Sequence, residues 1–276
     1  MKKLLTLICA LMCCNLMIKA QETTKNIRFG VKVTPAFNWM GPINDKKIKK
    51  DGVVMKMGLG LVMEFKITET ASFTTGLEYT GAGAKANYVG SDTAFYLYND
   101  DKVVEVTLEN DQIKTPNPLP VTGSTCELQK RKFNMGYLHI PLGLKFKTKD
   151  IGGMTYFMGL GGNIFVKTNA RANDNVKRTP FATGVTSTET IEKIDIGNQV
   201  NLLTMAGNFG GGVEYNVSGS TYLFASLSYQ HHFMNFAKKE SGYLIRSKTD
   251  ATGTKLTEFE NGMKLRQIVI TIGVLF

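Results

Sequence analysis

The feature that most constrains this chain is a two-residue alternation that returns in eight separate stretches. In "YLHIPLGLKFKT" (137–148), Leu138, Ile140, Leu142, Leu144 and Phe146 share one face, and Tyr137, His139, Pro141, Gly143, Lys145 and Lys147 share the other. Successive side chains of a strand point to opposite faces, so this pattern specifies a strand. The first such stretch, "IRFGVKVTPAFNW", aligns Phe29, Val31, Val33, Pro35, Phe37 and Trp39; "VMKMGLGLVMEFKI" aligns Met55 through Ile67 in the same way. "SFTTGLEYTG", "TYFMGLGGNIFVK", "LLTMAGNFGGGVEYNV", "YLFASLSYQHHF" and "RQIVITIGVLF" complete the set. Each has about the ten residues that a tilted bilayer-spanning strand needs. After residue 20 no apolar run is long enough for a spanning helix, and no 3.6-residue period is sustained.

The connections alternate as well. Tight links lie around "ITETA", "TKDIGG" and "VSGS", whereas 40–52, 84–131, 168–199 and 237–262 are long. Short and long in turn fits an up-and-down barrel with turns at one rim and loops at the other. Loops of this length are unusual in a compact soluble domain, so they are locally folded, strand-extended or disordered.

Alternation alone does not say which face is wet. A lipocalin-like barrel points its apolar face inward, a membrane barrel points it at lipid. The opposite face holds Gly30, Gly58, Gly60, Gly76, Gly143, Gly159, Gly161, Gly210, Gly212 and Gly273, with Lys32, Lys56, Glu64, Glu78, Lys145 and Glu214 among them. Small residues and mutually paired charges suit a narrow eight-stranded lumen, not a water-facing wall. The apolar face is bulky, carries tyrosines and Trp39 near segment ends, and finishes on Phe276. The expected fold is therefore all-β: an eight-stranded antiparallel up-and-down transmembrane β-barrel in the cell outer membrane, with short periplasmic turns and long extracellular loops. Pro141 then points into the lumen, where a bulge or a lost ladder bond can accommodate its missing N–H.

The first residues agree. "MKKLLTLICALMCCNLMIKAQ" has a basic start, an apolar run and Ala20 before Gln21, which reads as a signal peptide over 1–20 ahead of a barrel domain over 21–276. Cys9, Cys13 and Cys14 leave with it, so Cys126 alone remains, and neither an internal disulfide nor a Cys–His metal site is expected. Removing Lys2, Lys3 and Lys19 leaves 30 cations against 23 acids, lowering the formal charge from +10 to +7. An exported basic chain is expected to meet outer-membrane lipids and lipopolysaccharide, and no nucleic acid.

The stretch from Tyr137 to Lys145 resembles the "YLxIPLxLK" strand of the PorT-like outer-membrane β-barrel proteins of Bacteroidetes. The resemblance extends to "FGVKVTPAFN", "GLGLVMEFKI" and the terminal Phe276. It implies an eight-stranded outer-membrane barrel; some members are similar to accessory factors of protein secretion, which implies an envelope or secretion-machinery protein as a partner. The oligomeric state is left open.

Chemistry-bearing constellations are sparse. "GLGG" (159–162) and "GNFGGG" (207–212) lie inside strand patterns with no helix after them, so they read as lumen packing rather than phosphate loops. His231 and His232 are adjacent and point to opposite faces. Ser228 and His232 share a face but lie four residues apart, roughly 13 Å along a strand, too far for a nucleophile–base pair. No catalytic, cofactor-binding or metal-binding residue is assigned, and no cofactor is expected. Phe157, Phe165, Tyr222 and Phe224 are expected to narrow the lumen, leaving no wide channel. Tyr88, Phe95, Tyr96 and Tyr98 form a loop aromatic cluster that either meets a partner or packs on the rim. The expected function is a non-enzymatic barrel that displays extracellular loops; an accessory role in secretion or envelope assembly and a lipid-modifying enzyme are the alternatives.

Overall fold

A computed structural model describes residues 26–42, 47–88, 93–99, 102–109, 112–114, 123–240, 242–250 and 253–276. The segment 1–20, expected to be a signal peptide, lies outside them. In chain order the strands are β1 Ile27–Val33, β2 Ala36–Pro42, β3 Ile48–Lys50, β4 Val54–Lys56, β5 Gly58–Lys66, β6 Ala71–Tyr88, β7 Thr93–Asn99, β8 Lys102–Val103 and β9 Thr107–Glu109. They continue as β10 Gln112–Lys114, β11 Ser124–Lys147, β12 Met154–Pro180, β13 Ser187–Asp195, β14 Leu203–Ser218, β15 Thr221–Ala237, β16 Ile245–Asp250, β17 Gly253–Glu258 and β18 Met263–Leu275.

Eight of these close a ring. β1 pairs β5, β5 pairs β6, β6 pairs β11, β11 pairs β12, and the ladder runs on through β14, β15 and β18. β18 returns to β1 with Gly30 opposite Leu275, and every pairing is antiparallel. Closure leaves the spanning ring without an unpaired edge, the condition for putting backbone into hydrocarbon. Each of the eight alternating stretches of the sequence supplies one ring strand; the first also runs into β2, and the second also holds β4. β2 continues β1 past Pro35 in unchanged register against β18.

The apolar face points outward, as the alternation predicts. Leu59, Leu61, Met158, Leu160, Phe209, Leu227 and Ile272 are all half exposed or more, and side chains of the same kind circle the ring. In water such a surface would be far larger than a soluble monomer tolerates. Tyr79, Tyr229 and Trp39 stand toward the outer end of this band, Tyr156, Tyr215 and Phe276 toward the short-turn end. Pro141 lies in the lumen wall opposite Asn163 of β12. No bulge is needed there: the β6–β11 ladder lapses at Ile140 and Pro141 and resumes in the same register at Leu142. The register shifts of β11 fall elsewhere, at Leu128/Lys130 and Gly136/Tyr137.

One open alternative is decided, for strand extension, and one expectation, the inward Lys56, is corrected. Among the described residues, the stretches 84–131 and 168–199 are mostly strand, because β6, β11 and β12 run far past the lipid band; β12 alone has 27 residues. β13 pairs β12, and β7 joins β11 to the β16–β17 hairpin, so the outer end is a continuation of the sheet. Lys56 does not enter the lumen. The β2–β4 hairpin rides over the outer surface of β6, where Gly81 and Gly83 lack side chains. A Cβ on Gly83 would approach Val54 Cγ1 to 2.8 Å. The Lys56 ammonium accordingly donates to Asn134 Oδ1 at 3.0 Å.

Candidate functional site

The inward positions of β11, read from the turn end outward, pass through four layers. Lys147 and Lys145 begin the first. Lys145 Nζ lies 3.0 Å from Glu64 Oε2 of β5 and also binds Glu214 of β14; Lys147 binds Glu64 and lies 3.0 Å from Glu214 Oε2. Arg28 of β1 completes the lattice at 3.1 Å from Glu214 and stacks over Tyr222. These five charges come from four strands that are distant in sequence. Each carboxylate meets more than one cation, which is what makes burying it tolerable. Phe157 lies under the Lys145 ammonium at 4.0 Å, with Phe224 beside it, so a ring layer backs the ion lattice.

Above the rings is a chamber of about 160 Å³. Its wall includes Lys32, Glu78, His139, Asn163, Asn208, Gln230, Gln267, Ser226 and Ser228. Lys32 Nζ stands 2.6 Å from Glu78 Oε2, His139 Nδ1 stands 3.3 Å from the same oxygen, and Thr34 donates to the other. Polar atoms of His139, Asn163, Asn208 and Gln230 have no protein partner and face this space. Buried polar groups need partners, and a polar cavity of this size has room for several waters.

The third layer is aromatic. The imidazole of His139, the ring of Phe165 and the imidazole of His232 stack face to face, with centroids 4.4 and 4.8 Å apart. Tyr137, Met135, Phe133, Phe236 and Leu265 fill the lumen above them with an apolar plug.

The fourth layer lies in the extension, beyond the lipid band. Arg131 is fully buried and donates through Nε to Asp174 Oδ1 at 2.7 Å, through its other nitrogens to Asp174 Oδ2 and to the Tyr243 hydroxyl. Tyr96 donates to Asp174 Oδ2 at 3.0 Å, and Tyr88 to Asn261 Oδ1 at 2.8 Å. Burial pushes the phenols of Tyr88, Tyr96 and Tyr243 above their ordinary value, and Asp174 adds to this. Burial likewise pushes the Cys126 thiol up to about 11.

Of the six charges expected in the lumen, Lys32, Glu64, Glu78, Lys145 and Glu214 are there and paired; Lys56 is not. Arg28 and Lys147 join them, and both fall on the inward parity of their strands, which was the available signal. Phe157, Phe165, Tyr222 and Phe224 all point inward. Tyr88, Tyr96 and Tyr98 are buried, so the loop aromatics pack on the extension. Ser228 lines the chamber and His232 sits in the aromatic stack. Among the described residues no cluster of His, Cys, Asp and Glu could hold a metal ion.

No family model and no curated protein matches the sequence. Solved structures do. Neisserial surface protein A is similar at 12% identity over 90% of this chain and 95% of its own, with a TM-score of 0.35. OprG from Pseudomonas aeruginosa matches at 12% over 91% and 94% (TM-score 0.36), and Ail of Yersinia pestis at 10% over 91% and 99% (TM-score 0.33). The architecture rests on the closed antiparallel ladder and its apolar exterior, not on these scores. The chain is an outer-membrane β-barrel. Its surroundings are accordingly outer-membrane lipid.

Proposed function

We propose that the barrel is a sealed, non-enzymatic anchor whose working surface is the strand extension outside the membrane. The observation that carries this reading is closure of the lumen at two heights, by the ion lattice around Lys145 and by the plug around Phe133 and Phe236. A lumen stopped twice is a support for what stands above it, and loops and strand ends on a rigid scaffold are where recognition usually sits. The "YLHIPLGLKFKT" strand supports kinship with PorT-like barrels, and with it an envelope or secretion-machinery protein as partner. Two measurements test the reading. Reconstituted into planar bilayers, the protein should leave the membrane at its baseline conductance; discrete conducting steps would refute the anchor. Cross-linking in intact cells should capture a partner through the extension, and capture that persists after residues 187–195 and 245–258 are removed would refute the assignment of the surface.

A further inference from the structure

Above Tyr79 and Leu138 the outer wall of β6, β11 and β12 changes character. Every outward position from Gly81 to Asn87, from Lys130 to Gly136 and from Asn169 to Lys177 is Lys, Arg, Asn or Gly. The residues between them, such as Ala84, Phe133 and Ala172, are buried inside. Strand pairing sets the outward side chains in rows. Lys132 stands directly opposite Lys85 on one side and Asn173 on the other. One row further out, Lys130 stands between Asn87 and Asn175, and Lys49 pairs with Asn87 from β3. One row lower, Asn134 takes the Lys56 hydrogen bond and faces Arg171. A recess of about 220 Å³ opens among Asp51, Lys85, Lys130, Lys132, Asn173, Asn175 and Thr190.

Like charges directly opposed across strands destabilise a sheet, and no ion pair offsets this one. Among the described residues neither Lys85 nor Lys132 forms an ion pair. The nearby acids are few: Asp51 lies 3.6 Å from Lys130, Glu127 lies 3.6 Å from Lys177, Asp195, opposite Arg171, accepts the Gly197 N–H, and Glu192 is exposed on β13. An anion held between the lysines would turn the repulsion into attraction, and the asparagine amides beside them supply further donors. Position identifies the carrier. The same strands are lipid-facing up to Leu138, and Asn134 and Lys132 lie four and six residues beyond it, roughly 10–15 Å higher on a tilted strand. That is above the acyl chains and level with a large headgroup rather than open solvent.

We propose that this wall binds the phosphate groups on the sugar headgroup of an outer-leaflet glycolipid, with Lys85, Lys132 and Arg171 as the principal contacts. The test uses the full-length mature protein folded in phosphatidylcholine vesicles, doped with bisphosphorylated lipid A, with an equal amount of dephosphorylated lipid A, or with phosphatidylglycerol matched to the charge of the first. Undoped vesicles given soluble glucosamine phosphate serve as the free-phosphate arm. The readout is the temperature at which the gel-shifted folded band is lost. Lipid A phosphates should raise it well above the other two additions, and the rise should vanish in K85Q/K132Q while persisting in the short-turn control K66Q. The Gln pair relieves repulsion and should fold unaided, as the gel shift checks directly; R171Q gives a second variant, expected to weaken apparent binding at least tenfold. An equal rise with phosphatidylglycerol, an equal rise with soluble glucosamine phosphate, or a rise that survives K85Q/K132Q would each overturn the proposal.

Discussion

Leu142 and Arg131 show what the two environments of one strand demand of a single residue. Leu142 is an outward residue of the lipid band, flanked across the ladders by Thr75 and Gly162. Replacing it with Arg should destabilise the barrel by about 2–4 kcal/mol, the cost of an arginine at midplane depth on the lipid face. Urea unfolding in vesicles measures this, and the same substitution at Lys132, outside the band, should be close to neutral; equal costs at both sites would invalidate the face assignment. Arg131, eleven residues earlier, is enclosed by Asp174, Tyr96 and Tyr243 instead. The raised phenols of Tyr88, Tyr96 and Tyr243 give this cluster a pH signature with a definite sign. In the unfolded chain these groups release protons near pH 10, whereas in the folded chain they hold them. Their stabilising contribution is therefore complete below pH 10 and falls as pH rises above it. An absorbance titration should show three tyrosines that ionise only as the extension opens, with denaturant resistance declining from about pH 10 upward.

At the scale of the strand, the membrane is what made the sequence readable. Inside the lipid band one side of every strand meets hydrocarbon and the other meets a crowded lumen, so polarity alternates at every residue and all eight spanning strands are visible as text. Outside it that contrast fails in two ways. Ala82, Ala84 and Ala86 alternate with Gly83 and Lys85, a pattern too small in volume to signal burial, although all three alanines are buried. The shift at Leu128/Lys130 then reverses the parity of β11, so the inward set moves from Ser124, Cys126 and Leu128 to Arg131 and Phe133. A single-period reading ends where such a shift occurs, and the extension looks like loop. Lys56 departs from its pattern for a related reason: its parity is inward relative to β2, but its strand lies over the outside of β6. The extension should nevertheless behave as one cooperative element. Removing Asp174 with Asp174→Ala leaves Arg131 charged and buried, a loss of about 3–5 kcal/mol. Cys126 reports it. The thiol is buried, so maleimide should label it slowly in the native protein and much faster in Asp174→Ala, while the barrel keeps its gel shift. Equal labelling of the two proteins would contradict the buried pair.

For the molecule as a whole, the two seals are separable. Lys145→Ala removes the cation shared by Glu64 and Glu214, yet Lys147 and Arg28 remain on those carboxylates, so the loss should fall near the lower end of about 3–5 kcal/mol. Conductance should stay at baseline in this variant because the plug of Tyr137, Phe165 and Phe236 is untouched; a variant that both folds and conducts would show that the lattice alone closes the axis. The lattice also bears on how the barrel is built. Its members sit on β1, β5, β11 and β14, and Arg28 reaches Glu214 only across a finished circle. While the sheet is still open, these groups remain hydrated and cost nothing. The moment of closure dries them all at once, and a seam displaced by two residues would dry them without partners. The cluster therefore acts as a proofreader of assembly, admitting one circumference and one stagger and leaving every other ring with ions it cannot neutralise.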